Sequence, residues 1–404
     1  MSALLLSYIL LQTGIAANTG GWISILLLSI SLLFLIIGSI GRRNAIKGGE
    51  AALAILFLIH ATFPVLTFSN PAGFFVVSYV SFAFVVALVI QIAFPSSMLQ
   101  RSIFVVGICY AVVMYAVIPI ISVSPPIDVF AMGQQSADRF LHGINPYSMP
   151  IEYTQLFSDQ IGYSHIPGYL YLPSSLLLQT VGMLFGDIRW ISIIAMFGSA
   201  WILWSIGKKH MQDKAYLLPL LFLFQTRGMY VVEFAWVEPL LLTALFLVVY
   251  SRYAGFFLGI LLSLKQYLLF FVVHSILLGK RTACVGFALA AVIIIPFVLW
   301  DISAFTTSVV DFVFAMGHRT DAITISTRLG IEMPRFASLI VGGGTSLVTL
   351  CLFWNYPRPL GFLFASTITT FSMFLFGSQA FINYYIFVGG MILCTAVLTS
   401  VSHE

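Results

Sequence analysis

Lys265 stands in the run GFFLGILLSLKQYLLFFVVHSILLGKR (255–281), with Gln266 beside it and only uncharged, mainly apolar neighbours from Tyr253 to Gly279. A lysine at the centre of such a run costs about 2.5–3.5 kcal/mol if a bilayer surrounds it. It therefore pairs with a buried carboxylate or serves an anion, and the phosphate of a lipid suits the place best. Acids are the second ingredient. Asp128 follows two prolines in SPPIDVFAMGQQSADRFLHGINPYSMP (124–150). A carboxylate there is the N-cap of a new helix or a general base, and spacing leaves both open. Glu233 and Glu238, with Arg227, interrupt the apolar stretch TRGMYVVEFAWVEPLLL (226–242). Glu238 caps a helix beginning at Pro239 or lines a site, and Glu233 leans towards a site.

Weaker candidates surround these. The segment 300–335 carries His318, Arg319, Asp321 and Arg328. Arg319 and Arg328 have the fork that grips phosphate oxygens, although a mixed-charge loop is ordinarily just solvated. His165, among Tyr163, Tyr169 and Tyr171, is a donor suited to phosphate or a plain interfacial histidine in an aromatic belt. Asn383, Tyr384 and Tyr385 line a sugar pocket or form another belt, and Asp138 with Arg139 reads as a solvated pair. Cys109, Cys284, Cys351 and Cys394 each stand alone, so neither a disulfide framework nor a thiolate metal site is suggested.

The elements that must position these residues follow from composition. Of 404 residues, 60% are apolar and 8% charged, against roughly 25% charged in a soluble domain. Too few charges remain to cover a globular surface, which excludes a soluble enzyme, a disordered chain and a nucleic-acid binder. Apolar stretches near the bilayer-crossing length of about 20 residues recur at 3–18, 22–40, 51–69, 73–94, 102–123, 190–206, 215–226, 235–251, 254–264, 265–278, 282–300, 336–354, 360–377 and 380–400. The expectation is an all-α, polytopic bundle of about 12–14 membrane segments. It forms a single integral-membrane domain: N-terminal spans to 123, a long outer loop over 124–189, central spans over 190–300, a second outer loop over 301–335 and C-terminal spans over 336–400. The N-terminal stretch lacks a basic start and reads as a retained helix.

The basic clusters 41–47, 208–214 and 279–281, with Arg101 and Arg358, can all face the cytoplasm. Two conditions attach: 167–186 lies flat as a juxtamembrane helix, and 254–278 is a pair of short helices turning near Lys265. Both termini are then cytoplasmic. Asp128, Asp138, Glu152, Asp159, Asp187, Glu233, Glu238, Asp301, Asp311, Asp321 and Glu332 share the outer side, which suggests that function lies there. Within the first loop, 129–142 has the spacing of an amphipathic surface helix, ended by Gly143 and the turn at Asn145-Pro146.

The order of a span, an outer-loop Asp, an amphipathic helix, a G-x-N-P-Y turn and an aromatic, proline-bearing helix ending in L-F-G resembles the first outer loop of the GT-C superfamily of integral-membrane glycosyltransferases, most closely its family-87-like mannosyltransferase branch. The stretch G-x-L-L-S-L-K-Q-Y resembles the short-helix lysine segment of these enzymes, and NYY (383–385) their closing aromatic motif. Four spans precede the one leading into the loop, and L-Y-L-P stands where relatives show Y-P-P. The resemblance implies transfer of mannose or another hexose, with inversion, from a polyprenyl-phosphate sugar to an acceptor hydroxyl on a glycan, glycolipid or protein. The setting implied is the extracytoplasmic face of a prokaryotic cell membrane. Asp128 would be the general base. Lys265, helped by Arg319 or Arg328, would meet the lipid phosphate. His165, Glu233, Glu238, Gln266, Asn145, Tyr147, Asn383 and Tyr384 would contact sugar or acceptor. Beyond donor, acceptor and membrane lipids no partner is implied, and neither a metal nor another cofactor. The rival expectation is a transporter or flippase for an anionic lipid-linked substrate, which would use the same Lys265 and acids.

Overall fold

The computed structural model describes residues 2–16, 22–41, 48–62, 71–152, 166–316, 319, 321–334 and 336–401; Tyr163, His165 and the basic stretch 42–47 lie outside them. The chain is all-helical. In order it forms α1 (Ala3–Ala16), α2 (Trp22–Gly41), α3 (Gly49–Thr62), α4 (Pro71–Ala93), α5 (Ser97–Ala116), α6 (Asp128–Leu141), α7 (Pro173–Met183), α8 (Arg189–Met211), α9 (Leu217–Leu223), α10 (Glu238–Tyr250), α11 (Ala254–Leu262), α12 (Lys280–Trp300), α13 (Phe336–Phe353), α14 (Arg358–Phe376) and α15 (Ile382–Val401), with shorter turns between. Among the described residues no strand occurs beyond an isolated bridge between Ile151 and Ile166.

Eight of these helices are long and apolar enough to cross a membrane, and the chain is an integral membrane protein. The expected spans at 215–226 and 235–251 emerge as the shorter helices Leu217–Leu223 and Glu238–Tyr250, while those at 3–18 and 51–69 are helical up to the last described residues, Ala16 and Thr62. A 13-residue helix reaches about 20 Å, short of a hydrocarbon core of about 30 Å, and a hydropathy window does not see where Gly, Pro or a cap cuts the helix. Burial separates inner from outer helices. Within their apolar windows α14 is 89% and α15 83% buried, against 22% for α12 and α13. The outer helices turn Val285, Val292, Ile295, Leu299, Ile340, Leu347 and Val348 outward, as lipid contact requires.

The chain forms two compact, interleaved units: Met1–Val117, Phe197–Val231 and His318–Glu404 in one, Ile118–Met196 and Val232–Gly317 in the other. In the first, α1 packs on α2 and α15, and α14 on α13 and α15, while every side chain of α9 is buried. In the second, α6 lies on α7, and α11 packs on α10 and α12. Glycines bring α11 and α12 together: a Cβ at Gly259 would stand 2.6 Å from Leu289 Cβ and 2.9 Å from the Gly286 carbonyl. Small residues four apart are the usual means of close helix approach in lipid.

Local expectations fare unevenly. The amphipathic helix forms as α6, ended by Gly143 in the left-handed region. Its cap is Ile127, so Asp128 is the first helical residue and not the N-cap; its Oδ1 accepts from Val129 N at 2.8 Å. Glu238 likewise opens α10, with Val237 before it as cap. The expected loop 301–335 is helical over 302–315, through Ile302–Thr306, a π-turn at Thr307–Asp311 and Phe312–Ala315. Ile302, Phe305, Val309 and Phe312 recur every three or four residues, and Asp301 caps the start by accepting from Ala304 N at 2.9 Å.

Candidate functional site

Everything in this site belongs to the second unit and converges on the end of α11. Ser263 closes that helix by donating its hydroxyl back to the Gly259 carbonyl at 2.7 Å. The chain then runs extended through Lys265 (φ −151°, ψ 142°) into a 3-10 turn at Gln266–Leu268 and a short helix, Leu269–His274. Pro173 opens α7, leaving the next N–H without an intrahelical partner. That group, Ser174 N, donates to the Ser263 carbonyl at 2.9 Å; the Ser174 and Ser263 hydroxyls meet at 2.7 Å, and Ser175 donates to the Leu264 carbonyl. The start of α7 is thus bonded to the end of α11, and the turn near Lys265 read from sequence is present.

Lys265 Nζ donates to Glu238 Oε1 at 2.7 Å, with the two side chains 5% and 0% exposed. The compensating partner that an apolar setting demands is therefore Glu238, and this role displaces capping for its carboxylate. Tyr267 donates its hydroxyl to the same oxygen at 3.3 Å. The ammonium also lies 4.8 Å from the Tyr171 ring centre and 5.0 Å from that of Tyr267, both cation–π distances. These two rings are half-buried, so a buried ion pair is walled by aromatic faces that still reach the surface.

Gln266 fixes the turn from the other side. Its Nε2 donates to the Leu170 carbonyl and, at 3.1 Å, to that of Val309 in the π-turn, where the helical ladder is interrupted. Leu170 N donates in turn to Met132 Sδ at 3.3 Å. Met132 lies one turn after Asp128, on the same face of α6. One residue, Leu170, therefore joins the helix of Asp128 to the turn of Lys265. Asp128 itself is half-buried.

Beneath lies an aromatic floor. Tyr147 is 1% exposed, with ring centres 5.9 Å from Tyr169, 6.0 Å from Phe297 and 4.9 Å from Phe305. It donates to the Tyr171 carbonyl at 3.0 Å, and Tyr169 to Gln179 Oε1 at 2.7 Å. Burial holds both phenols well above their ordinary 10, so they remain donors. Tyr147, one of the residues expected to touch sugar or acceptor, is buried in this cluster after the turn at Asn145-Pro146. Asn145 shapes that turn by accepting from Tyr147 N at 3.0 Å.

Sequence reasoning missed Arg189. It is fully buried and grips Asp187 through Nε (2.9 Å) and Nη2 (2.5 Å), while Nη1 donates to the carbonyls of Ser122 (2.6 Å) and Glu233 (3.4 Å). Its guanidinium sits 4.7 Å from the Phe130 ring centre. Arg189 thus ties Asp187 to the backbone at Ser122 and Glu233 and packs on Phe130 of α6. The available signal was an Asp-x-Arg pair opening an apolar helix. Glu233, 1% exposed, meets this clamp through its carbonyl.

The remaining candidates belong to the first unit. Arg319 is forked onto Asp321 (3.0 and 2.6 Å) over the Phe381 ring, and Arg328 ends the short helix Ile325–Leu329. Asn383 is buried at the start of α15, and Tyr384 stacks on Phe374 at 4.8 Å. His165 falls outside the described residues. Among those residues no group of three His, Cys, Asp or Glu could hold a metal. No protein-family model, no curated protein and no solved structure matches the chain.

Proposed function

We propose that this protein is a membrane glycosyltransferase that passes a hexose from a polyprenyl-phosphate donor to an acceptor hydroxyl at the extracytoplasmic face, with Asp128 as general base. The observation that carries the reading is the double use of Leu170, whose N–H and carbonyl bind the helix of Asp128 and the turn of Lys265 to one strut. A base and a cation held in one frame are what a single displacement needs. Asp128 takes the acceptor's proton as its oxygen attacks the anomeric carbon. The bond from that carbon to the phosphate oxygen breaks, its electron pair leaves with the lipid phosphate, and configuration inverts. Lys265 has three donor hydrogens, so it can hold Glu238 and still meet the charge growing on phosphate. The faces of Tyr171 and Tyr267 suit the apolar side of a sugar ring.

The alternative is transport of an anionic lipid-linked substrate. In its favour stands the broken helix between α9 and Gly228, since discontinuous helices mark many transporters. Release of free polyprenyl phosphate from a panel of polyprenyl-phosphate sugars in reconstituted membranes separates the two. Wild type should release it, and Asp128→Asn should lose about 10²–10⁴-fold in rate while still binding donor. Donor crossing the bilayer intact, with no release for any acceptor, decides for transport.

A further inference from the structure

An apolar groove of about 540 Å³ lies on the first unit, walled by α2, α13 and α14. Ile36, Ile340, Gly344, Val348, Leu352 and Tyr356 are among its lining residues. Ile340, Val348 and Leu352 are 66%, 59% and 63% exposed, so the groove opens towards lipid and not into the protein. Its hydroxyl-bearing residues do not make it polar. Thr345 donates to the Val341 carbonyl at 2.7 Å and Thr349 to that of Thr345 at 2.8 Å, so both hydroxyls are engaged by helix backbone.

Shape and charge narrow the occupant. From Ile340 to Phe353 the groove runs about 20 Å at 1.5 Å per residue, enough to hold a chain across one leaflet's share, about 15 Å, of a hydrocarbon core about 30 Å thick. At one end Tyr356 closes it by donating to the Ser39 carbonyl at 3.2 Å. Beside that end stand Trp354, 58% exposed, and Arg358, also exposed, an aromatic and a cation at the level where headgroups lie. The glycines of α13 keep the channel clear: a Cβ at Gly344 would meet no atom within 4 Å.

We infer that this groove is a seat for one acyl chain of an anionic phospholipid, drawn from the leaflet that meets the Trp354–Arg358 turn, with the headgroup phosphate on Arg358. The seat is independent of the transferase reading and separate from the residues assigned to it.

Two neighbouring glycines provide the test. A Cβ at Gly343 also meets nothing within 4 Å, yet Gly343 does not line the groove. Gly343→Leu and Gly344→Leu raise helix propensity equally, so only the second should fill the seat. The full chain, delipidated in detergent, is titrated with phosphatidylglycerol, phosphatidylethanolamine and a polyprenyl phosphate. Bound lipid is read by native mass spectrometry and the unfolding temperature alongside. Wild type and Gly343→Leu should retain one phosphatidylglycerol in preference to phosphatidylethanolamine. Gly344→Leu should weaken that binding at least tenfold while unfolding normally, and Arg358→Gln should erase the headgroup preference but keep the chain. Equal lipid retention by Gly343→Leu and Gly344→Leu would overturn the seat. Preferential uptake of polyprenyl phosphate, lost in Gly344→Leu, would overturn the phospholipid in favour of the donor's own tail.

Discussion

The chain interrupts a helix within its apolar mass after Leu223 and again after Leu262, and these two breaks are closed by different chemistry. At the first, Tyr115 donates to the Leu223 carbonyl at 2.9 Å, His60 Nε2 to that of Phe224 at 2.7 Å and Tyr8 to that of Leu221, while Thr226 N donates to Gln12 Oε1 at 2.6 Å. Each freed backbone group takes a neutral side chain from α1, α3 or α5, as irregular backbone away from water requires. Those side chains are at most 3% exposed. At the second break the backbone is again bonded, by Ser174 N and the Ser175 hydroxyl, but an ion pair is added and two half-exposed tyrosines flank it. Neutral groups suffice to mend a broken helix. A buried charge pair does more than mending asks, and on the proposed function that surplus serves the donor phosphate.

The comparison can be broken most forcefully at the ion pair. Lys265→Met alone leaves Glu238 buried without its cation and should lower stability by about 3–5 kcal/mol, read as denaturant unfolding in detergent. Arg189→Lys should cost about 2–3 kcal/mol, because a lysine cannot hold Asp187 with a fork and reach the Ser122 carbonyl as well; the same unfolding series checks it. Tyr115→Phe, at the first break, should cost about 1–2 kcal/mol for the stranded Leu223 carbonyl, with turnover per folded molecule unchanged. A turnover defect in Tyr115→Phe matching that of a Lys265 variant would erase the distinction between the breaks.

Much of this was legible from residue types. A lysine inside an apolar run predicts a compensated charge, the one-sided basic clusters require a turn near it, and both are there. The partner was not legible, because Glu238 lies 27 positions away and its neighbour Pro239 suggested a helix cap. The amphipathic helix was legible to within one residue, and that residue decided whether Asp128 was its cap. Arg189 escaped because its burial depends on Phe130, Ser122 and Glu233, which only folding assembles. Likewise 302–315 looked like a solvated loop, since its Ser, Thr and Asp masked an apolar face with helical period.

On the proposed function the Lys265–Glu238 pair serves chemistry and not only folding. Replacing both members, Lys265→Met with Glu238→Leu, removes the charges together, and such replacement is often neutral or stabilising by about 1–4 kcal/mol. The measurement is polyprenyl-phosphate release by this double variant in reconstituted membranes, with unfolding followed on the same preparation. The account predicts wild-type stability or better with release reduced at least a hundredfold. Wild-type release from a stable double variant would contradict it and reduce the second break to a mended helix like the first.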